Sequence, residues 1–266
     1  MARLGWIGLG RIGTGMALLL RKAGHDLHVY DVRPEQITSL VEVGAHAAGS
    51  PADVAARCEA VLLSAIDTES VAAIVFGPNG IAAGGGAGKL VVDHTTIHPE
   101  RTREIAARLR AQTGMGWVDA PVSGTPGTLS VFAGGDAADV ARVRPWVAAY
   151  AGNITHVGPP GAGQIAKSCN QAVVTATLAI WSEVLGYAQR RGLDPATLMQ
   201  AIAGGGADSA VRKYFERELL AGRLPPETVR NMTKDLQIVR DMAGADPLPM
   251  NATVAAVFQR AFATPA

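Results

Sequence analysis

Three glycines near the start of the chain, Gly8, Gly10 and Gly13, have the spacing G-x-G-x-x-G. They follow a predicted strand and open a predicted helix, which is the context in which this pattern binds the pyrophosphate of a dinucleotide. The first glycine allows a tight turn, the second lets the backbone approach the phosphates, and the third lets the helix pack closely on the strand. The phosphates would lie at the positive end of the helix. The predicted cofactor loop comprises Gly8, Leu9, Gly10, Arg11, Ile12 and Gly13. Alternatively, the three glycines only satisfy the geometry of a turn and bind no cofactor.

Asp31 lies at the end of the second predicted strand, roughly 20 residues beyond the glycines. A carboxylate at this position accepts hydrogen bonds from the ribose hydroxyls and repels a 2′-phosphate. Arg33 is near enough in sequence to swing round and accept such a phosphate. The two residues therefore favour NAD as the cofactor, with NADP as the alternative.

Positioning these residues requires alternating strands and helices, and the sequence has that pattern up to about residue 157. Short β-branched runs alternate with amphipathic stretches rich in Ala and Leu, which is typical of βαβ units on a parallel sheet. The predicted strands are 4–8, 27–30, 60–64, 90–93, 116–119 and 130–133. The predicted helices are 13–22, 34–43, 51–56, 99–112 and 136–149. We therefore expect residues 1–158 to form an α/β Rossmann domain with a doubly wound, mostly parallel sheet.

Beyond residue 158 the strand pattern stops, and residues 164–191 are predicted to form one long helix without an internal proline. At 1.5 Å per residue this helix would be roughly 40 Å long. Gly192 is predicted to end it, while Asp194 and Pro195 begin the next helix as N-cap and first residue. Residues 159–266 are therefore expected to form an all-helical domain, connected to the first through the long helix.

The composition excludes several classes of function. The 24 Lys and Arg residues against 23 Asp and Glu residues leave a net charge of +1, without the basic excess that nucleic-acid binding requires. No apolar run reaches the ~18 residues of a membrane span, and Arg11 interrupts the apolar N-terminal segment that a signal peptide would need. Cys58 and Cys169 are too far apart for a metal motif. We expect a cytoplasmic protein with no nucleic-acid, membrane or metal partner.

Four motifs occur in order along the chain. They are GLGRIGTGMA at 8–17, DAPVSG at 119–124, GAGQIAK leading to Gln at 161–171, and KDL at 234–236. With these motifs the chain resembles the β-hydroxyacid dehydrogenase family, which includes 3-hydroxyisobutyrate dehydrogenases and the tartronate, succinic semialdehyde and glyoxylate reductases. The resemblance covers nearly the whole chain. It implies a Rossmann domain, a long interdomain helix, an all-α domain that helps to form dimers or tetramers, and reversible hydride transfer between nicotinamide and a small carboxylate-bearing substrate.

Such a reaction needs a proton donor, because hydride reduction of an aldehyde leaves an alkoxide. Lys167 is the best candidate, and the resemblance places it at the catalytic position. On a helix Lys167, Asn170 and Gln171 share one face, which we expect to look into a cleft between the domains and to bind substrate. Desolvation there can lower the pKa of an ammonium toward neutrality. A solvated charge on a long helix is the alternative.

The resemblance also implies substrate contacts from the DAPVSG motif and from the second domain. Ser123 and Gly124 would bind the substrate carboxylate through a hydroxyl and a backbone N–H. Lys234 would reach the nicotinamide and substrate. Alternatively, Ser123 and Gly124 simply form a turn after Pro121, and Lys234 is an exposed lysine with an ion-pair partner.

The resemblance implies that three residues, which follow the third and fourth predicted strands, flank the nicotinamide end of the cofactor. These are Ile66, Asp67 and Thr96. Ligands bind at such strand carboxyl ends in open α/β sheets. A helix cap ahead of Pro99 is the alternative role of Thr96.

The chain departs from the family pattern at four places, and one of them is residues 224–228, where the family often has a phenylalanine before KDL. The loop from Ser123 to Leu129 reaches its Gly-Thr-Leu sequence several residues sooner than in the family, and Asp67 replaces a frequent proline. The printed sequence also ends at Ala266, before a Gly-rich family segment. We expect a wider or differently shaped substrate pocket. Two alternative functions stay open: an imine reductase-like enzyme on this scaffold, which Lys167 argues against, and a non-catalytic dinucleotide-binding protein.

The long helix carries apolar residues on more than one face, namely Val173, Val174, Leu178, Ile180 and Leu185. A helix that is apolar on several faces needs more than one neighbour to cover it. Together with the resemblance, this predicts a homodimer or homotetramer.

Overall fold

The computed structural model describes residues 1–244 and 248–262. The chain divides into two compact units, Met1–Lys167 and Ser168–Ala266. The first unit is an α/β domain with a mostly parallel sheet, and the described part of the second is helical. This confirms the predicted fold class, whereas the predicted boundary between residues 158 and 159 stays a prediction.

The sheet of the first unit contains nine strands among the described residues. They are β1 (Arg3–Ile7), β2 (Asp26–Tyr30), β3 (His46–Ala47), β4 (Ala60–Leu63), β5 (Leu90–Asp93), β6 (Gly116–Asp119), β7 (Val122–Ser123), β8 (Leu129–Gly135) and β9 (Ala151–Gly158). Their order is β3-β2-β1-β4-β5-β6-β8-β7, and β9 pairs with β8. Strands β1 to β6 are parallel, whereas β8 runs antiparallel to β6 and β7. The order reverses between β1 and β4, which is the point where ligands bind in doubly wound sheets.

Both faces of the central part of this sheet are buried, so the strands there are apolar at nearly every residue. Strands β4, β5 and β6 are buried throughout. Two separate hydrophobic clusters lie against the sheet. Ala60 and Leu62 of β4 belong to one cluster, and Val61 and Leu63 belong to the other, as the two-residue period of a strand requires.

The helices of the first unit follow the predicted βαβ alternation. They are α1 (Arg11–Lys22), a 3-10 helix (Pro34–Gln36), α2 (Thr38–Glu42), α3 (Pro51–Arg57), α4 (Thr68–Phe76), α5 (Ile81–Gly84), α6 (Pro99–Thr113) and α7 (Ala137–Val147). Helix α8 (Ala162–Arg190) starts in this unit and continues into the second. The second unit then has α9 (Pro195–Ile202), α10 (Ala210–Tyr214), α11 (Glu216–Leu220), α12 (Pro226–Ala243) and α13 (Pro249–Phe262).

The predicted long helix and the cap that follows it are confirmed. Helix α8 has 29 residues, and Gly192 beyond its end has a φ of +82°, a conformation that favours glycine. The Asp194 carboxylate accepts a hydrogen bond from the Thr197 N–H at 2.8 Å, and Pro195 is the first residue of α9. Within residues 1–244 and 248–262, no helix is both long and apolar enough to cross a membrane.

Several elements are absent from the sequence-based prediction. Strand β9 has mostly exposed residues and two glycines, so it lacks the apolar alternation that marks a strand, and its backbone pairing with β8 holds it. Strands β3 and β7 have two residues each, which is too short for a period. Helix α4 is apolar along most of its length and α5 has four residues, so neither shows a helical period. The predicted helix 34–43 is wrong as one element, because it is a 3-10 helix followed by α2.

Candidate active site

The glycine-rich turn connects β1 to α1, and each of its three glycines has a different structural role. Gly8 has a φ of +90°, and a Cβ there would lie 2.2 Å from the Ser64 carbonyl oxygen. A Cβ on Gly13 would lie 2.3 Å from the Gly8 carbonyl oxygen, so α1 starts this close to β1 only with glycine. The space at Gly10 is open, because a Cβ there would meet no atom within 4 Å. Gly10 is the N-cap of α1. The turn therefore leaves room for a phosphate at the positive end of α1.

The side chains inside this turn point in different directions. Leu9 is buried in the core beside the sheet, so only its backbone is available to a ligand. Ile12 packs partly against the same core, whereas Arg11 is exposed at the first position of α1. Of these three side chains, only the Arg11 guanidinium is placed to reach a bound anion.

Asp31 directly follows β2 and is only 8% exposed. Its Oδ2 accepts a hydrogen bond from the Leu9 N–H at 2.6 Å. Its Oδ1 accepts from the Arg33 N–H at 2.9 Å and lies 3.5 Å from the Arg33 Nε. The carboxylate therefore ties the glycine-rich turn to the end of β2, and the Arg33 side chain, which is 55% exposed, pairs with it.

The cofactor residues predicted in the first unit follow neighbouring strands of the same sheet. Asp31 follows β2, the glycine-rich turn follows β1, Ile66 and Asp67 follow β4, and Thr96 follows β5. These strands are adjacent and parallel, so their carboxyl ends share one edge of the sheet. The structure thus brings the six residues of the turn together with Asp31, Arg33, Ile66, Asp67 and Thr96 along this edge.

Asp67 and Thr96 lie close to the starts of helices α4 and α6. Asp67 is the N-cap of α4, and its Oδ1 accepts a hydrogen bond from the Ser70 N–H at 2.8 Å. This local role explains why an acidic residue suits a position where the family often has proline. The alternative role of Thr96 as a helix cap is wrong, because the N-cap of α6 is His98.

Lys167 lies near the start of α8 and is only 7% exposed. Its Nζ donates a hydrogen bond to the Val122 carbonyl oxygen at 2.8 Å. Val122 and Ser123 form β7, in which Ser123 is paired with Ser130 of β8. Gly124, which follows, has a φ of +107°. Within the first unit, the structure therefore brings Lys167 to the segment that carries Ser123 and Gly124, and the alternative of a solvated lysine is wrong.

A buried aspartate fixes the start of α8. The Asp119 Oδ1 accepts from the Gly161 N–H at 2.8 Å, and its Oδ2 accepts from the Gln164 N–H at 3.2 Å. A Cβ on Gly134 or on Gly163 would lie 2.6 or 2.8 Å from the carboxylate oxygens, so both positions need glycine. Burial raises the pKa of Asp119, while the hydrogen bonds from the backbone N–H groups act to lower it. Asp119 thus serves as the capping acid for the positive end of α8.

The Gln164 side chain adds a second anchor for the same helix. Its Nε2 donates to the Thr95 carbonyl oxygen at 2.8 Å, and its Oε1 accepts from the Ile97 N–H at 3.2 Å. Sequence reasoning missed both Asp119 and Gln164 as positioning residues, although each stands inside a quoted motif. The signal that could have found Asp119 is an acidic residue at the end of a fully apolar strand.

In the second unit, Asn170 and Gln171 lie on α8 and Lys234 lies on α12. The Asn170 Nδ2 donates to the Gln171 Oε1 at 3.0 Å, and the Gln171 Nε2 donates to the Asp235 Oδ2 at 2.6 Å. The other oxygen of Asp235 lies 3.4 Å from the Lys234 Nζ. The buried Asp235 therefore connects these residues, and sequence reasoning gave it no role. The expectation that this face of α8 looks into a cleft stays a prediction.

Two other groups of residues bear on the chemistry. Among the residues that the structure describes, no cluster of three or more His, Cys, Asp or Glu side chains could hold a metal ion. Trp117 and Trp181 are buried in the cores of the first and second units. The first unit thus holds a buried lysine, the β7–β8 hairpin that carries Ser123, and a glycine-rich turn at the start of α1.

Comparison with known proteins gives the family. Residues 3–158 match the family model of the NAD binding domain of 6-phosphogluconate dehydrogenase. Residues 161–264 match the model described as NAD-binding of NADP-dependent 3-hydroxyisobutyrate dehydrogenase.

Individual relatives cover almost the entire chain. It is 35% identical to 2-hydroxy-3-oxopropionate reductase of Escherichia coli K12, over 98% of this chain and 90% of the relative. It is 33% identical to 3-hydroxyisobutyrate dehydrogenase of Pseudomonas aeruginosa, over 98% and 91%. The solved structure of 3-hydroxyisobutyrate dehydrogenase from Salmonella typhimurium matches with a TM-score of 0.89 at 28% identity, over 98% of this chain and 94% of that one. The chain therefore belongs to the 3-hydroxyisobutyrate dehydrogenase and tartronate semialdehyde reductase family, whose members are NAD(P)-dependent dehydrogenases that act on CH–OH groups.

Proposed function

We propose that the protein interconverts a small β-hydroxyacid and its semialdehyde by hydride transfer, with Lys167 as the general acid and base. The observation that carries this proposal is the burial of Lys167, whose Nζ donates to the Val122 carbonyl oxygen at 2.8 Å. Lysine is almost never buried unless its ammonium has a partner. The relatives described above are named for 2-hydroxy-3-oxopropionate and 3-hydroxyisobutyrate, which are small carboxylates. Their names support this substrate class.

The substrate carboxylate is proposed to bind at Ser123 and Gly124. The serine hydroxyl and the Gly124 backbone N–H are donors of the kind that carboxylates accept. The pairing of Ser123 with Ser130 holds this part of the backbone in a hairpin. In the second unit, Asn170, Gln171 and Lys234 are the residues proposed for substrate and nicotinamide binding, and Asp235 holds them together.

Lys167 is proposed to move the proton. When bound, the nicotinamide cofactor supplies or accepts the hydride. In the direction of reduction, the ammonium of Lys167 donates a proton to the alkoxide oxygen, and in the direction of oxidation its neutral amine accepts the hydroxyl proton. The Val122 carbonyl fixes the direction of the side chain, while Asp119 and Gln164 fix the helix that carries it.

NAD is the proposed cofactor, with NADP as the alternative. The residues of the glycine-rich turn fit a pyrophosphate, because the space at Gly10 is open at the start of α1. Asp31 is fixed at the end of β2 and pairs with Arg33. A 2′-phosphate at this place would meet the Asp31 charge and would have to draw Arg33 away from it.

The experiment that tests this function is the initial rate of NADH and NADPH oxidation by the purified protein, with glyoxylate and a panel of carboxylate-bearing aldehydes. We expect turnover with NADH preferred. Lys167→Met should lower kcat by about 10²- to 10⁴-fold, the usual contribution of a general acid or base. Its Kd for NADH should not change. Lys22→Met, which removes an exposed lysine from the end of α1, is the matched control and should keep the wild-type rate.

Each alternative has its own outcome. An unchanged rate in Lys167→Met contradicts the proposed mechanism. Reduction of cyclic imines without reduction of aldehydes would identify the imine reductase-like alternative. Tight NADH binding without turnover of either class would identify a non-catalytic protein.

The proposed assembly is a homodimer or homotetramer formed through α8. Val173, Ile180 and Tyr187 are spaced seven residues apart and are 66%, 54% and 55% exposed. Residues at this spacing lie on one face of a helix, and a row of exposed large apolar side chains favours burial against another copy. Sedimentation velocity at micromolar concentration should show a dimer or larger species, which Ile180→Glu weakens. A stable wild-type monomer would contradict this assembly.

A further inference from the structure

A buried histidine and a buried tyrosine lie behind the DAPVSG segment in the first unit. His94 follows β5 and Tyr150 lies between α7 and β9. The His94 Nδ1 is 2.7 Å from the Ala120 carbonyl oxygen, and its Nε2 is 2.8 Å from the Tyr150 hydroxyl. Because a carbonyl oxygen only accepts, the hydrogen is on Nδ1, and Nε2 accepts from the tyrosine hydroxyl. This neutral tautomer uses both ring nitrogens.

The surroundings keep both groups uncharged and fixed. Burial lowers the pKa of His94 to about 4 and raises the pKa of Tyr150 well above its ordinary value. The Trp6 ring stacks on His94, with 5.6 Å between the ring centroids and 13° between the planes. Tyr150 meets both rings edge-on. The imidazole is therefore held between two aromatic neighbours in one orientation.

This pair holds both ends of the loop formed by residues 120–127. The loop starts at Ala120, whose carbonyl accepts from His94. It ends at Gly127, whose N–H donates to the backbone carbonyl oxygen of Tyr150 at 2.9 Å. Between these two points lies Val122, the hydrogen-bond acceptor for Lys167. The position of that acceptor thus depends on the histidine and tyrosine behind it.

We propose that His94, oriented by Tyr150, is a positioning residue that places the loop 120–127 and through it the carbonyl that orients Lys167. Neither side chain touches reacting atoms in this proposal. It rests on the proposed roles of Lys167 and of the loop in the dehydrogenase reaction. Two buried hydrogen bonds connect the Tyr150 hydroxyl through His94 to the Ala120 carbonyl, and the loss of either one leaves a buried polar group unsatisfied.

Tyr150→Phe is the decisive variant, because it removes one hydroxyl and keeps the ring and the backbone bond to Gly127. We expect the KM for the aldehyde substrate to rise about tenfold, the effect of roughly one lost hydrogen bond. The Kd for NADH should stay at the wild-type value. Amide hydrogen exchange, measured by mass spectrometry, should become faster in peptides that cover residues 120–128.

A pair of substitutions at His94 separates positioning from folding. Asn places an N–H close to where Nδ1 stands and keeps the donor to Ala120, whereas Leu has similar bulk and no donor. The substrate KM of His94→Asn should therefore stay close to the wild-type value, whereas the substrate KM of His94→Leu should rise. Val75→Ala is the control for general destabilisation, because Val75 lies in the cluster on the opposite face of the sheet. It should lower the melting temperature and leave both the KM and the loop exchange unchanged.

The outcomes distinguish this inference from the proposed function. Wild-type KM and wild-type loop exchange in Tyr150→Phe would overturn the positioning role. Equal KM values in His94→Asn and His94→Leu would also overturn it, as would a matching KM change in Val75→Ala. Absence of turnover by the wild-type protein would overturn the proposed function instead, and the exchange rates would still decide whether the pair holds the loop.

Discussion

Lowering the pH from 7 to 5 should destabilise the first unit through His94. Burial lowers the pKa of His94 in the folded protein to about 4, against a value of 6.5 for an ordinary histidine. Between these values the unfolded chain binds the proton more readily than the folded chain does, so unfolding becomes easier as the pH falls. The contribution of neutral His94 is fully present above about pH 6.5 and is lost progressively toward pH 4. The expected loss in the free energy of unfolding is about 2 kcal/mol at pH 5 and about 3 kcal/mol at pH 4.

The assay is urea unfolding of wild type and His94→Asn at pH 7 and pH 5, followed by tryptophan fluorescence. Trp6 stacks on His94 and reports this region directly. Burial also lowers the pKa values of His25 and His28, so the wild-type curve alone does not isolate one group. The variant keeps those histidines and lacks the imidazole at position 94. Its free energy of unfolding should therefore fall by about 2 kcal/mol less than that of wild type between the two pH values. The same pH dependence in both proteins would refute the reasoning.

Asp119, Lys89 and Asp31 each make a contact whose loss should be measurable. Asp119→Asn replaces one of two acceptor oxygens with an amide group that only donates, so one buried N–H at the start of α8 loses its partner. The free energy of unfolding should fall by about 1–2 kcal/mol, and kcat should fall without a change in the Kd for NADH, as measured by urea unfolding and steady-state kinetics. An unchanged kcat would contradict the role of Asp119 in positioning Lys167 through α8. Lys89→Met removes an ammonium that donates to the last carbonyls of α3, and it should cost about 1 kcal/mol in urea unfolding with wild-type kinetics. Asp31→Ser removes the charge beside Arg33, and it should raise the KM for NADH and lower the KM for NADPH, each about tenfold. Parallel changes in both KM values would show that Asp31 acts only on the shape of the turn.

The α/β fold of the first unit could be predicted from sequence because its central strands are recognisable as apolar runs. Strands β4, β5 and β6 are short apolar runs bounded by turns, and they are buried on both faces as such runs require. The glycine-rich turn could be located because steric contacts restrict Gly8 and Gly13 to glycine, and because Gly10 between them completes the G-x-G-x-x-G spacing. In contrast, β9 pairs with β8 through its backbone, and its exposed side chains carry no period that a sequence pattern could detect.

The candidate site could be predicted only in part, for a related reason. Spacing on a helix puts Lys167 near Asn170 and Gln171, because that relation is local. The partners that hold these residues are distant in sequence: 45 residues separate Lys167 from Val122, and 64 separate Gln171 from Asp235. Such contacts depend on the packing of whole elements, so residue spacing alone does not indicate them.

Two buried hydrogen-bond systems in the first unit converge on Lys167. Asp119 holds the helix that carries the lysine, and His94 with Tyr150 holds the loop that carries its acceptor. A hydrogen bond weakens when either end moves, so both systems act on the same contact between Nζ and the Val122 carbonyl. The effects of Asp119→Asn and Tyr150→Phe on kcat/KM should therefore be smaller together than the product of the two single effects. A double-mutant cycle measures this coupling, with Lys89→Met combined with Tyr150→Phe as the uncoupled control. Effects that multiply in both cycles would show that the two systems act on separate steps and would contradict convergence on one lysine.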